Sequence, residues 1–179
     1  MLTRICWHDS RTREVEWEHS TLRRYLNTKF YDSLGEEKHK LEDLIIKNPS
    51  NPYYGGKTGQ DTREKISILS MDEVFQLFGD SRAAIKDTVY TGGDTGEVII
   101  PKDYISDNKD AIRRARDTSG KLCPWWLRTP GVGDSIGQAC ATYICGNGTI
   151  QVRGEGVHNK HIGVRPVVFL SLLKPLNIH

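Results

Sequence analysis

Apolar residues recur every three to four positions in two segments of the chain, and this spacing predicts two helices that each bury one face. The first helix is expected over residues 21–31, with Ser20 or Thr21 as its N-cap. The second is expected over residues 71–78, with Ser70 as its N-cap. The apolar positions that form the two patterns are Leu22, Tyr25, Leu26, Phe30, Val74, Phe75 and Phe78.

Two other segments carry a weaker helical pattern. Residues 36–44 place two leucines on one side of a helix, and a short helix is also expected from residue 106 or 107 to about residue 116. Residues 48–52, Asn-Pro-Ser-Asn-Pro, are expected to form a loop, because proline blocks helix continuation and biases the residue before it toward extended geometry.

In the C-terminal third, apolar and polar residues alternate or form short apolar runs, which is typical of β-strands rather than helices. Residues 146–148, Gly-Asn-Gly, separate two such runs and predict a β-hairpin, since glycine supplies the positive φ of tight turns. Residues 167–170 are apolar on both faces, which predicts a central, buried strand. Strands are expected over residues 3–7, 65–70, 125–128, 138–145, 149–153 and 167–170, with short extended pieces within residues 88–105.

The composition is that of one soluble globular domain of 179 residues with a net charge of +2. This charge is too small to predict a nucleic-acid partner, and the basic residues 113–116 are expected to form a solvated helix face. No apolar run approaches the ~20 residues of a membrane span, so no membrane insertion is expected. Residues 1–4 carry no apolar run typical of a secretory signal, and cell-surface and cytoplasmic locations both stay open.

Three groups of segments together carry a family resemblance. They are residues 17–23, residues 68–70, and the pair W-W-L-R-T-P-G at 125–131 and G-V-R-P at 163–166. On these motifs the chain resembles, over about residues 15–172, a bacterial family of uncharacterised domains that is itself similar to the C-type-lectin-like superfamily.

The resemblance implies an α+β fold with a C-type-lectin-like twisted antiparallel sheet, two or more packed helices and long loops. The last strand is expected to return beside the first. Such domains usually carry more β-structure before the W-E-H-S-T-L-R segment than the 16 residues present here, which is compatible with a module of a longer protein.

The resemblance also implies that ligands meet the loops and strands between the W-W-L-R and G-V-R-P segments. The leading hypothesis is therefore a non-catalytic module that binds a glycan or a protein surface, without a cofactor. A polar, glycine-rich hairpin suits recognition of polar ligands, although a merely solvated hairpin explains the pattern equally well. The candidate ligand-binding residues are Trp125, Trp126, Asn147, Gln151, Arg153, Glu155, His158, Asn159 and His161.

Neighbouring Trp125 and Trp126 point to opposite faces of their strand. One is expected in the core, and the other is either structural as well or exposed for stacking on a sugar ring. Arg128 and Arg165 lie among apolar residues, so each is expected to need a carboxylate or carbonyl partner. Their predicted role is structural, with direct ligand contact as the alternative.

Cysteine and histidine spacing carries the remaining hypotheses. Cys140 and Cys145 have the spacing of the paired cysteines in formylglycine-generating enzymes, so a copper-dependent oxidase is the alternative function. Five positions apart on one strand they face opposite sides unless a bulge intervenes, and buried, unreactive thiols are the simpler interpretation. His158 and His161 with Glu155 make only a loose cluster, so no metal site is predicted. A structural module within a multidomain protein is the third hypothesis.

Overall fold

Mostly antiparallel sheets and a few short helices make up the mixed α/β arrangement of this protein. The computed structural model describes residues 3–55, 58–91, 97–133 and 138–170. The strands are β1 (Thr3–Arg4), β2 (Leu44–Ile46), β3 (Thr62–Glu64), β4 (Ile66–Ser67), β5 (Ile85–Thr91), β6 (Glu97–Ile105), β7 (Trp125–Pro130), β8 (Cys140–Ile144), β9 (Ile150–Gly156), β10 (Gly163–Val164) and β11 (Val167–Val168).

The first long helical region confirms the prediction for residues 21–31 and extends it by two residues. It consists of α1 (Thr21–Tyr25), a π-helical segment (Leu26–Phe30) and α2 (Tyr31–Ser33). The Ser20 side chain accepts a hydrogen bond from the Arg23 amide at 3.1 Å, which satisfies one of the unpaired amides at the helix start.

The second predicted helix is also confirmed, as α3 (Met71–Phe78). Ser70 and Glu73 form a reciprocal capping box, in which each side chain accepts a hydrogen bond from the backbone amide of the other residue. Gly79 ends the helix with φ +102°, a conformation that costs glycine little. Strong local capping at both ends explains why the sequence alone located this helix.

The main sheet has seven strands in the order β1-β10-β7-β8-β9-β6-β5. Neighbouring strands are antiparallel except for β10 and β7, which are parallel. The predicted hairpin is confirmed, because β8 and β9 pair directly across the turn at residues 146–148. Two small sheets, β11-β4 and β2-β3, flank the main one.

A fully buried apolar row crosses one face of the main sheet. Trp125 pairs with Ile144, Ile144 with Ile150, and Ile150 with Ile105. Side chains directly opposite on adjacent strands share a face, and all four of these are inaccessible to solvent. The residues of this core include Val74 of α3, so α3 lies in the same cluster as this row.

On the opposite face, a second core cluster covers β10, β7 and the Ala141 end of β8. Trp126 is buried in this cluster with Trp7, Trp17 and Leu22. The rings of Trp7 and Trp17 lie 5.6 Å apart at 59°. This cluster leaves the rest of that face, along β8, β9 and β6, less covered, and that region holds the candidate site described below.

The predicted central strand at residues 167–170 is wrong. Only β11 is formed there, and it pairs with β4 in a separate two-stranded sheet. Val168 is 40% exposed and Leu170 is 60% exposed. After β11 the backbone instead bonds to residues 41 and 42, with the Phe169 carbonyl accepting from the Glu42 amide at 2.8 Å. An apolar run therefore does not require burial on both faces when it lies at a sheet edge.

The weaker helix predictions are only partly confirmed. Residues 36–44 contain a 3-10 helix, Gly35–Lys40, and then begin β2. The predicted helix to residue 116 is reduced to α4 (Asp110–Arg113). Shorter strands than predicted form at residues 3–7 and 65–70.

The expected solvated basic face at residues 113–116 is found for Arg114 and Arg116, which are exposed, but the expectation is wrong for Arg113. The side chain is completely buried. Its guanidinium donates to the Gly148 carbonyl at 2.8 Å, to Asp107 at 2.9 Å and to Asp110. Burial opposes ionisation of Asp107, but hydrogen bonds from Ser81 and Arg113 outweigh it and lower the pKa of this carboxyl.

Within the described residues, no helix combines the length and the apolar character that a membrane crossing requires.

Candidate functional site

A row of polar and aromatic side chains crosses the less covered face of the main sheet. Tyr143 lies opposite Gln151, Gln151 lies opposite Tyr104, and Tyr104 lies opposite Lys86. Residues in register on adjacent strands share a face. The first three side chains are half-buried and Lys86 is exposed. We call Tyr143, Gln151, Tyr104 and Lys86 the polar row.

The polar row is the exposed continuation of a buried contact. Trp126 lies opposite Tyr143, and their rings meet edge to face at 6.1 Å and 74°. The Trp126 indole donates to the carbonyl of Ile5 at 3.0 Å, so the ring against which Tyr143 packs is itself fixed. Gln151 donates to the Thr149 hydroxyl at 3.0 Å. The row therefore lies on regular strands and beside a rigid core.

Tyr143 is held in its protonated form. Burial raises its pKa to about 12, and the charges of Cys145, Glu155 and Asp103 add to this effect. At neutral pH its phenol is consequently a hydroxyl that can donate and accept hydrogen bonds. Glu155 lies opposite Ala141 and accepts a hydrogen bond from the Gly156 amide at 2.9 Å.

A bulge on β9 separates Gln151 from Glu155. The three residues of β8 from Ala141 to Tyr143 lie opposite the five residues of β9 from Gln151 to Glu155. Gly154 makes the bulge possible, with φ +84°, and an added Cβ would lie 2.5 Å from the Ala141 carbonyl oxygen. This bulge sets the position of Arg153, which is half-buried.

A turn with two tyrosines approaches the same end of β9. Asn51 holds the turn at residues 51–55 by donating to the carbonyls of Pro130 at 2.9 Å and Val152 at 2.7 Å. Burial raises the pKa of Tyr54, and the charge of Arg153 opposes that rise. Arg153 and this turn therefore border the site beyond the bulge.

The other predicted binding residues belong to local turns. Asn147 is exposed and accepts hydrogen bonds from the Thr149 amide and hydroxyl, at 3.1 and 2.8 Å. Asn159 accepts from the amide of His161 at 2.8 Å, and His161 is exposed. His158 packs over Gly156, where an added Cβ would lie 3.0 Å from its Cε1 atom. Of the predicted set, the structure places only Gln151 in the polar row.

Of the two alternatives for the neighbouring tryptophans, the structural one holds, because both side chains are fully buried and neither is exposed for stacking on a sugar ring. The Trp125 indole donates to the Arg113 carbonyl at 2.9 Å. Trp126 occupies the core cluster on the other face. Strand β7 is covered on both faces. The two indoles point to opposite faces, and each is therefore buried in a different core cluster.

Arg128 lies in the core and joins four separate segments. Its guanidinium donates to the carbonyls of Ile68 and Lys47, to the Ser67 hydroxyl and to the carboxylate of Glu73 at 2.9 Å. Since Glu73 also caps α3, this contact ties β7 to the start of that helix.

Arg165 is placed differently. Its guanidinium lies 5.2 Å from the ring centre of Trp125 and 6.0 Å from that of Phe78. The contacts described are cation–π contacts, and no hydrogen-bond partner among the described residues reaches its buried Nη1 atom.

The cysteines are all free, and three of the four are buried. Burial raises the pKa of Cys140 to about 11, with the charge of Glu155 acting in the same direction. The copper-oxidase hypothesis needs thiolates at Cys140 and Cys145, and this environment opposes the first. The bulge lies on β9 and not on β8, which holds Cys140 and ends directly before Cys145, so no bulge on β8 brings the two sulfurs to one side.

One group of at least three metal-ligating side chains occurs in the described part of the chain. It consists of Glu16, Glu18 and His19, far in sequence from the loose cluster of Glu155, His158 and His161. Sequence reasoning missed this group, and its only local signal is the spacing of two glutamates and a histidine within four residues.

Sequence reasoning also missed Tyr104 and Tyr143 as site residues. Alternation along residues 138–145 predicts which face Tyr143 shares, but the approach of Tyr104 depends on the register between β9 and β6.

Comparison with known protein families matches the chain to a family model. The model is described as Domain of unknown function (DUF6273), and it matches residues 1–172 of the chain. The matched stretch includes all of the polar row. No curated protein and no solved structure matches the chain.

Proposed function

This chain belongs to the DUF6273 family of domains of unknown function, and we propose that it is a non-catalytic binding module that recognises a glycan. The proposal rests on one observation. Tyr143, Gln151 and Tyr104 share a row and stay partly exposed, whereas the corresponding row on the other face of the same strands is buried.

The dimensions and chemistry of the polar row suit a short stretch of sugar. Neighbouring strands lie about 4.8 Å apart, so the backbones that carry Tyr143 and Tyr104 are separated by about 10 Å. The central Gln151 amide offers both donors and an acceptor, which is what sugar hydroxyls require. Tyrosine combines an apolar ring with a polar tip, and such residues bind amphipathic ligands at low entropic cost.

Tyr143 is suited to hydrogen bonding and not to general-base catalysis. A general base should have a pKa near the working pH. Burial raises the pKa of this phenol to about 12 instead, so it does not accept protons at neutral pH. The raised pKa of Cys140 likewise disfavours a nucleophilic thiolate beside the row.

The strand order supports the finer proposal of a C-type-lectin-like architecture. Strand β1, near the first described residue, pairs with β10, which lies close to the end of the matched family region. A first strand beside one of the last strands is the arrangement that the resemblance implies. In this architecture the binding face is built from the stretch between the segments 125–131 and 163–166, which supplies Tyr143 and Gln151 of the polar row, while Tyr104 and Lys86 come from β6 and β5.

The test is a glycan array with the purified wild-type chain, followed by titration of each hit. Gln151→Ala and Tyr104→Phe are expected to weaken binding, because each removes hydrogen-bonding groups from the polar row. Losing one such group costs about 0.5–1.5 kcal/mol, or about 2- to 10-fold in affinity.

Gln76→Ala is the matched control. Gln76 is an exposed residue of α3, and this helix packs against the face of the sheet opposite the polar row. The affinity of this variant should equal that of the wild type. An array without any hit would contradict a glycan ligand and leave a protein surface as the ligand to test. Hits that bind Gln151→Ala and Tyr104→Phe as tightly as wild type would place the site elsewhere.

A further inference from the structure

We propose that Glu16, Glu18 and His19, called here the N-terminal triad, form a binding site for a divalent transition metal of the Zn²⁺ type. The site is separate from the polar row and does not depend on the proposed glycan function. Its ligand set contains two carboxylates and one imidazole. Zinc takes both kinds of ligand, whereas Ca²⁺ and Mg²⁺ prefer oxygen alone.

The distances within the N-terminal triad are close to those of a metal site. One ligand atom from each of the three side chains lies within 4.8 Å of the other two. The His19 Nε2 atom is 3.5 Å from Glu18 Oε1 and 3.8 Å from Glu16 Oε2. Zinc–ligand bonds of about 2.0–2.2 Å in a tetrahedron separate the ligand atoms by about 3.3–3.6 Å. Small side-chain rotations therefore bring the triad onto one ion.

The backbone that carries the triad is fixed by its neighbours. The segment forms a 3-10 helix, Trp17–His19, in which the His19 amide donates to the Glu16 carbonyl at 3.0 Å. Trp17 anchors the helix, since its side chain is buried and its indole donates to Glu64 at 3.0 Å. With Trp17 directed into the core, the triad is presented from a rigid support.

A second chain segment closes over the carboxylates. Gly59 adopts φ +72°, and a Cβ at this position would lie 2.9 Å from Glu16 Cβ and 3.5 Å from Glu18 Oε1. Gly59 therefore packs closely against the methylene groups of Glu16 and near the Glu18 carboxylate, and a side chain at residue 59 would displace them. The feature is independent of the spacing in residues 16–19, because residue 59 comes from a distant loop.

The charge around the triad also favours a cation. Among the described residues, His19 is the ionisable group found within 4.0 Å of the carboxylates of Glu16 and Glu18. Arg23 donates to the carbonyl of Glu18, but it directs its ion pair to Glu64. Both carboxylates are only 25–28% exposed. A divalent metal held by the three side chains would compensate the negative charge of both carboxylates.

The experiment uses the full chain after treatment with a chelator, and the probes are Co²⁺ and Zn²⁺ alone. Co²⁺ reports its ligands through visible absorption, and Zn²⁺ affinity is measured by competition with a chromophoric chelator. Wild type is expected to bind one equivalent. His19→Ala and Glu18→Gln should each weaken Zn²⁺ binding at least about 10-fold and change the Co²⁺ spectrum.

His39→Ala is the matched control. His39 is as exposed as His19, at 68% against 70%, and also pairs with a glutamate three positions earlier, Glu36 at 3.9 Å. It should leave the stoichiometry, affinity and spectrum unchanged. Absence of stoichiometric binding to wild type would overturn the proposal, as would an equal loss of affinity in His19→Ala and His39→Ala. Each metal-free variant should have the Tm of the metal-free wild type, which would show that a loss of metal binding is not caused by unfolding.

Discussion

Replacing Arg113 by alanine is expected to destabilise the protein strongly, although its sequence context is that of a surface helix. The side chain is completely buried, and the two carboxylates it contacts, Asp107 and Asp110, are only 13% and 19% exposed. Alanine would leave both carboxylates without their cation and would also free the Gly148 carbonyl, which now accepts at 2.8 Å.

The magnitude follows from these contacts. Removing one partner of a buried ion pair costs about 3–5 kcal/mol, and the partial exposure of the carboxylates favours the lower end. We therefore expect a loss of about 3 kcal/mol in the free energy of unfolding. For a chain of this size that corresponds to a fall of roughly 6–12 °C in Tm.

The assay is urea unfolding and a thermal scan of Arg113→Ala beside Arg114→Ala. Arg114 is exposed and donates only to the Asn147 carbonyl, at 3.0 Å, among its described contacts. Its replacement should cost no more than about 1 kcal/mol. If the two variants lose equal stability, the contacts of Arg113 with Asp107, Asp110 and the Gly148 carbonyl do not stabilise the fold as we infer.

Three further outcomes follow from the structure. Gly148→Ala should lower the free energy of unfolding by more than about 2 kcal/mol, because its Cβ would lie 1.8 Å from the Asp110 carbonyl oxygen. Gly120 has a similar positive φ but open space around it, so Gly120→Ala should cost about 1 kcal/mol in the same urea titration. Cys140 should resist alkylation at about pH 8 in the native protein and react in urea, as measured by mass spectrometry, since burial raises its pKa to about 11. Stability should fall in acid, because the pKa of Asp107 is lowered in the folded protein. This carboxyl contributes to the free energy of unfolding above its unfolded pKa, and the contribution is lost as the pH falls through its folded pKa. Urea midpoints that stay flat below about pH 4 would contradict this.

Those features of the fold that depend on neighbours in sequence could be predicted from the sequence. Helix α3 has its capping box and its terminal glycine within residues 70–79, and the β8–β9 hairpin has its turn signal within three residues. In both cases the determining contacts are local, so they are visible in the order of residues.

Features that depend on distant partners could not be predicted in this way. Arg113 is buried because Gly148 and Ser81 reach it from other segments. The same limit applies to the candidate site. Gln151 could be placed on a polar face by alternation, but its neighbours Tyr143 and Tyr104 come from two other strands whose register is set by tertiary packing.

The most direct test of the proposed function is a backbone amide NMR titration with the tightest glycan from the array. We expect the largest shift changes to cluster on β6, β8 and β9, around Tyr104, Tyr143 and Gln151, which share one row. They should be absent from the outer surface of α3. Saturable shifts confined to α3, or to segments away from these three strands, would contradict the assignment of the polar row as the binding face.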